Sequence, residues 1–237
     1  MTAGGAGWQL AAPSSSPFAL FSYFGAHRGE VLGWLWSHTW LSVLPVVLGL
    51  LIALPLGWLA RRYSWVYPPL ISISGLLYTI PSLALFIAMP SIIGTKTLDP
   101  INVVAALTVY TVALMVRVVA DGLASVPEDV AQAATAMGYT GLQRLTKVDL
   151  PIAVPVIAAG LRVATVANVS LVAIAATIGV PELGQLFTNG FQLSASGAYY
   201  PPIVLGIVLC VALALVLDAL IVLGNRAVTP WRRGAAR

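Results

Sequence analysis

Trp40-Leu-Ser-Val-Leu-Pro-Val-Val-Leu-Gly-Leu-Leu-Ile-Ala-Leu-Pro-Leu-Gly-Trp-Leu-Ala60 runs for 21 residues without a charge and closes on Arg61-Arg62. As a helix it is long enough to cross a hydrocarbon layer of about 30 Å, and Pro45 and Pro55 are expected to kink it. Four more uncharged runs follow: Leu70 to Ile93, Ile101 to Val116 up to Arg117, Val163 to Val180, and Pro202 to Leu223 broken only by Asp218. With flanks, the expected spans are 40–60, 70–93, 101–120, 155–180 and 202–223. Composition agrees. The chain is 59% hydrophobic and 8% charged, with mean hydropathy +0.93, whereas a soluble domain carries about 25% charged residues.

The 12 basic residues stand singly or in pairs between apolar runs, which argues against nucleic-acid binding and makes them reporters of orientation. Arg61, Arg62, Arg117, Arg144, Lys147, Arg162, Arg226, Arg232, Arg233 and Arg237 fall on one side, Arg28 and Lys96 on the other. Positive charge marks the cytoplasm. The expected fold class is therefore an all-α polytopic membrane protein of five transmembrane helices, N-terminus outside and C-terminus cytoplasmic. A sixth span within Pro17 to Ser37 is the alternative, but His27, Arg28 and Glu30 split that stretch. Its aromatics Phe18, Phe21, Tyr23, Phe24, Trp34 and Trp36, with Trp40, suit an interfacial position. The organisation read from this is an interfacial or extracytoplasmic segment 1–38, a membrane domain 39–225 and a basic cytoplasmic tail 226–237. With no Lys or Arg in the first 27 residues, a cleaved secretory signal is not expected. Ser14 to Ser16 read as a flexible stretch. The lone Cys210 reads as a small core residue.

A cytoplasmic loop, 121–150, separates the third and fourth spans and has helical signals of its own. Ser125-Val-Pro-Glu128 and Thr140-Gly-Leu-Gln143 both have capping-box spacing. Val130, Ala133, Ala134 and Met137 form one apolar face, Gly138 can end the first helix, and Pro151 is expected to stop the second near Val148. Local physics leaves two readings: a surface hairpin that ties two spans together, or a docking element.

Val126-Pro-Glu-Asp-Val-Ala-Gln-Ala-Ala-Thr-Ala-Met-Gly138 with Leu150-Pro151 resembles the EAA loop of permease subunits in bacterial ABC importers. Gly49-Leu-Leu-Ile-Ala-Leu-Pro-Leu-Gly57, Tyr78-Thr-Ile-Pro-Ser-Leu-Ala-Leu85 and Ala175-Ala-Thr-Ile-Gly-Val-Pro-Glu-Leu-Gly184 are similar to the osmoprotectant group, whose members import glycine betaine, choline and carnitine. The resemblance implies a type I ABC-importer permease in the bacterial plasma (inner) membrane. It also implies the partners: two ATP-binding-cassette ATPase subunits, a second permease subunit, identical or homologous, and an extracytoplasmic substrate-binding protein. Glu128, Val130, Gln132, Ala133, Ala134, Met137 and Gly138 would couple to the ATPase. Gln132 stands where the pattern has Glu, and Tyr78 where glutamine is expected.

No phosphate loop is present, because Lys96 and Lys147 both follow threonine. ATP would be used by a partner subunit, and this chain is expected to bind no cofactor and to catalyse nothing alone. His27 and His38 do not form a metal motif and are expected at the outer interface. Tyr78, Ser82, Asn168, Ser170 and Asp218 are the candidates for lining a pathway, and Thr165 and Thr177 are further polar residues of the fourth span. Asp218 is expected about 7.5 Å from the cytoplasmic end of its span, paired with Arg162 or Arg226. The alternatives are a permease for an amino acid such as methionine, a self-sufficient secondary transporter or channel, and a purely structural membrane subunit.

Overall fold

The computed structural model describes residues 18–194 and 200–230; Ser14 to Ser16 and the tail arginines 232, 233 and 237 lie outside the described residues. Its helices are α1 Phe18–Arg62, α2 Tyr67–Thr79, α3 Ser82–Ile93, α4 Ile101–Ala124, α5 Glu128–Ala136, α6 Gly141–Arg144, α7 Leu150–Val172, α8 Gln185–Ser194 and α9 Pro201–Val228. The described residues contain no strand. Four helical stretches are long and apolar enough to cross a membrane, and α2 with α3 make a fifth if counted as one bent span.

Helix α4 is the centre of the bundle. In its most apolar stretch 61% is buried, against 33% or less in the other three, and α1, α2, α3 and α7 all pack on it. Small residues let α1 lie close along it: a Cβ on Gly49 would stand 2.4 Å from Thr111 Cγ2, and one on Gly57 2.6 Å from Val119 Cγ1. The paired numbers rise together, so α1 and α4 run parallel. Across the other face Gly160 meets Val118 and Gly122 meets Ile157, so α7 runs antiparallel. The contact replaces large side chains by backbone proximity, the usual route to tight helix pairs in lipid.

Four expectations about the spans need correction. The first concerns α1. Residues 18–38 are helical and lead into the first span, but α1 is two helices that meet at a kink at His27, the later one about 50 Å long at about 1.5 Å per residue. Its one non-helical residue is His27, not Pro45 or Pro55. There the ring Nδ1 donates to the carbonyl of Tyr23, 3.0 Å away, and stacks on its ring. Second, the run 70–93 is not one straight helix. It bends by 104° between α2 and α3, because Pro81 holds Ile80 extended (ψ 129°). Tyr110 Oη donates to the freed Ile80 carbonyl.

The bent pair nevertheless crosses the bundle. Tyr67 at its start donates to Asp121 near the end of α4, 3.0 Å away, while its far end joins the loop where Asn102 Nδ2 donates to the Lys96 carbonyl at 2.8 Å. Asp121 and Asn102 are separated by most of the length of α4, about 28 Å.

Third, Pro151 does not stop a helix. After α6 the chain widens into a π-helical turn, Leu145–Asp149, and enters α7 directly, with Pro151 in its first turn. The widened turn accommodates a residue that lacks an N–H and crowds the preceding carbonyl. Fourth, α9 extends to Val228, past the expected end at 223, so Asp218 lies about 15 Å from the end of its helix.

Candidate functional site: the helix-glycine-helix loop

Between α4 and α7 the expected helix-glycine-helix is present. Helix α5 ends at Ala136, and Gly138 takes φ +83°. Gly138 N–H donates to the Thr135 carbonyl at 3.0 Å and Tyr139 N–H to the Ala134 carbonyl at 3.2 Å, the paired bonds of a Schellman turn that consume carbonyls left open at a helix end. The second helix is capped as its spacing predicts: the Thr140 hydroxyl accepts from Gln143 N–H, and the Gln143 side chain accepts from Thr140 N–H. The first capping box does not form. Ser125 instead donates to the Gly122 carbonyl at 2.7 Å, and Pro127 is the N-cap, without a side-chain bond. Ser125 lies at the end of α4, where an open carbonyl one turn back is the nearer partner.

The loop presents apolar groups outward. Of the expected face, Ala134 is buried and Val130 half-buried, but Ala133 is exposed and Met137 is 72% exposed. Leu142 on α6 is 69% exposed beside it in sequence. Glu128 and Gln132 are exposed one turn apart, and Gln132 Nε2 donates to Glu128 Oε1 at 3.3 Å. A glutamate at 132 would set two like charges one turn apart, so the carboxamide removes a repulsion and leaves a donor-acceptor pair. On α6 and the π turn, Arg144 pairs with Asp149 at 3.2 Å and Lys147 lies 5.9 Å from the Tyr139 ring centre.

Behind α5 lies a cleft of about 850 Å³ lined by Arg61, Glu128, Gln132, Arg144 and Asp149 among others, and beside α6 one of about 430 Å³ that shares Arg61, Arg144 and Asp149. The end of α1 is thus brought against the loop, which puts Arg61, Arg62, Arg144 and Lys147 at one end of the molecule.

The candidate pathway residues separate. Tyr78 and Asn168 line one small cavity with Tyr110 and Thr111. Asn168 is buried and donates to Thr111 Oγ1 at 3.0 Å, and Tyr78 meets Tyr110 edge to face at 5.7 Å. Ser82 opens α3, half-buried, and Ser170 is exposed on another face of α7. Asp218 accepts two bonds from Arg162, at 2.6 and 2.9 Å. Thr165 and Thr177 bond to the Leu161 and Ile174 carbonyls of their own helix.

His38 is fully buried, as is Glu182, and the two are 2.7 Å apart. The sequence reading passed over Glu182, although a carboxylate closing an apolar run, Ile178-Gly-Val-Pro-Glu182, and a histidine opening another are a signal that two ionisable groups need one another.

The sequence profile described as the binding-protein-dependent transport system inner membrane component matches residues 45–230. The osmoprotectant import permease protein OsmW of Salmonella typhimurium is 37% identical over 202 residues, spanning 84% of this chain and 92% of that protein. The carnitine transport permease protein OpuCB of Listeria monocytogenes is 30% identical, spanning 79% and 83%. The glycine betaine/carnitine/choline transport system permease protein OpuCB of Bacillus subtilis is 27% identical, spanning 89% and 94%. Among solved structures, a chain of the inward-facing MetNI methionine ABC transporter superposes with TM-score 0.73 over 86% of this chain and 98% of that one, at 24% identity, which speaks to the fold alone. The fold is that of type I ABC importer permeases, the profile runs from within α1 through α9 with the loop included, and the chain belongs to the family of inner membrane components of binding-protein-dependent transport systems.

Proposed function

We propose that this permease carries an osmoprotectant, a quaternary amine such as glycine betaine, choline or carnitine, inward across the bacterial plasma membrane, working as one of two permease subunits with two ATPase subunits and an extracytoplasmic binding protein. The chain binds no cofactor and is not itself an enzyme; ATP is bound and hydrolysed by the ATPase. The N-terminus is outside and the C-terminus cytoplasmic. Support for the substrate class comes from the osmoprotectant, carnitine and glycine betaine/carnitine/choline permeases to which the chain is similar. Orientation is supported by Arg61, Arg62, Arg144 and Lys147 gathering at one end.

The observation that carries the coupling role is the exposed apolar tip, Met137 and Leu142 astride a left-handed Gly138. Apolar side chains raised on a rigid polar turn are unfavourable in water and favourable in a partner's groove. On this reading Glu128, Gln132 and Ala133 face the ATPase around Met137, while Val130 and Ala134 turn inward on a helix that packs against α6 and the π turn. Gly138→Val tests it, because a β-branched residue does not adopt φ +83°. In the complex reconstituted with its ATPase and binding protein, this variant is expected to lose substrate-stimulated hydrolysis. Unchanged assembly and hydrolysis would refute the docking role. Uptake competition among glycine betaine, choline, carnitine and methionine tests the cargo separately, and competition by methionine alone would refute the quaternary-amine assignment.

A further inference from the structure

The second span breaks where a membrane tolerates it least. The Ile80 carbonyl accepts from Tyr110 Oη, and Tyr110 lies about 14 Å along α4 from Ile101 and about 21 Å from Ala124, so the break is near mid-depth. Yet Tyr78 is 46% and Ile80 37% exposed, and Thr79 and Pro81 are exposed with them. Lipid cannot satisfy broken backbone, so at this depth such a stretch is either buried in protein or lines a watery cavity. In a permease of two subunits the break then faces the space between them, a placement that rests on the transport reading.

A solute arriving there meets a helix end and a ring. Thr79 Oγ1 and Ile80 N–H turn back to the Leu76 and Leu77 carbonyls, 2.7 and 3.3 Å away, and α2 stops. The last carbonyls of a helix carry its partial negative charge. Tyr78 stands on that end. Its ring meets Tyr110 edge to face at 5.7 Å, and Tyr110 is held in turn by its bond to Ile80, so the two rings are braced across the bend. Asn168 behind them is engaged by Thr111. The cavity these residues line is only about 10 Å³, so a solute meets the exposed ring of Tyr78 rather than a pocket.

Carboxylates offer no alternative. Asp218, inside an apolar run, takes two bonds from Arg162, and Glu182, just past another, is fully buried against His38. None of the residues around the two rings is acidic. A cation at this depth is left with aromatic faces and carbonyls. A quaternary ammonium suits the ring, because it donates no hydrogen bond and is drawn to the negative face of an aromatic system.

We propose that Tyr78 determines specificity in the pathway: its ring, at the broken end of α2, takes the quaternary ammonium head as the solute passes mid-membrane. A ring face attracts the cation without a fixed counter-charge. It is therefore a step across the apolar middle that still lets go, as passage through a pathway requires.

The test uses the complex reconstituted in proteoliposomes with its ATPase and saturating, loaded binding protein, so that the binding protein's own affinity drops out of the rate. The cargo is glycine betaine, choline or carnitine, whichever the wild type imports fastest. Position 78 is filled with phenylalanine and its mono-, di- and trifluoro forms, which nearly keep the ring's shape while draining its negative face. Tyr78→Phe is expected to import at about the wild-type rate, and each added fluorine to lower it. The trifluoro ring, like Tyr78→Leu, is expected to lose between about twofold and about thirtyfold, the range of a cation–π contact. A flat fluorine series overturns the contact whatever Tyr78→Leu does, because a structural role depends on shape alone. Loss of import already in Tyr78→Phe also overturns it, since that change keeps the ring. Wild-type import with a flat series refutes the contact and leaves the transport reading standing; absence of wild-type import of all three amines refutes both.

Discussion

The two ends of the molecule are built on opposite principles. In the helix-glycine-helix of the coupling loop the bonds are short in sequence: Gln132 to Glu128, Gln143 with Thr140, Tyr139 to Ala134, Arg144 to Asp149. These contacts are exposed or half-buried, and α5 packs on α6 and the π turn. At the other end, the His38–Glu182 contact spans 144 residues, is fully buried and has a backbone partner on each side. A locally closed element can move as a rigid body against a partner. The turn at the other end is placed by long-range contacts, the buried pair together with Leu183 and Leu186 in the cluster with Val31, Tyr23 and Leu205.

The largest test of this contrast is Glu182→Ala. It leaves His38 buried without its carboxylate, and breaking a buried pair costs about 3–5 kcal/mol, so thermal unfolding of the purified chain in detergent should drop clearly. A change as small as that of a surface substitution would mean that the end is held by packing alone. Next comes Gly138→Val, expected to cost about 1–3 kcal/mol of backbone strain. The cost should stay local, appearing as faster hydrogen exchange in 128–144 with the spans unaffected; loosened spans would contradict the self-contained loop.

Thr140→Ala should cost about 1 kcal/mol through its lost cap, read as faster exchange at Gln143, whereas Ser125→Ala should not fray α5. Equal fraying by both would mean that the two capping signals are equivalent after all. The smallest effect is expected from Gln132→Glu, where like charges one turn apart cost about 0.2–0.5 kcal/mol. Circular dichroism of a peptide spanning the loop, with and without salt, would detect it as a slight helix loss that salt restores.

Much of the loop was legible because its causes are local. Gly138, the Thr140 box and the apolar face need only residues within a turn or two of one another. The failures there have the same origin: Ser125 met the end of α4 before it could cap α5, and Pro151 was absorbed by a π turn that no short motif announces. In the membrane domain the existence of the spans was legible from apolar length, but their shapes were not. The bend at Ile80–Pro81 leaves a carbonyl that Tyr110 reaches from α4, and α1 is kinked at His27 rather than at Pro45 or Pro55. Asp218 was expected to pair with Arg162 or Arg226, and it is α7, packed on α9, that brings Arg162 to it.

The sequence by itself determined that the chain lives in a membrane, where its apolar runs lie, which segment forms the glycine-broken helix pair and which family it resembles. Those follow from composition, charge spacing and local hydrogen bonding, which are properties of neighbouring residues. Only the tertiary structure decided that α1 and α4 run parallel on glycine contacts, that the second span is broken, and that His38 and Glu182 meet in the interior. Each of these requires residues far apart in the chain to meet at atomic distance, and hydropathy carries no information about such meetings.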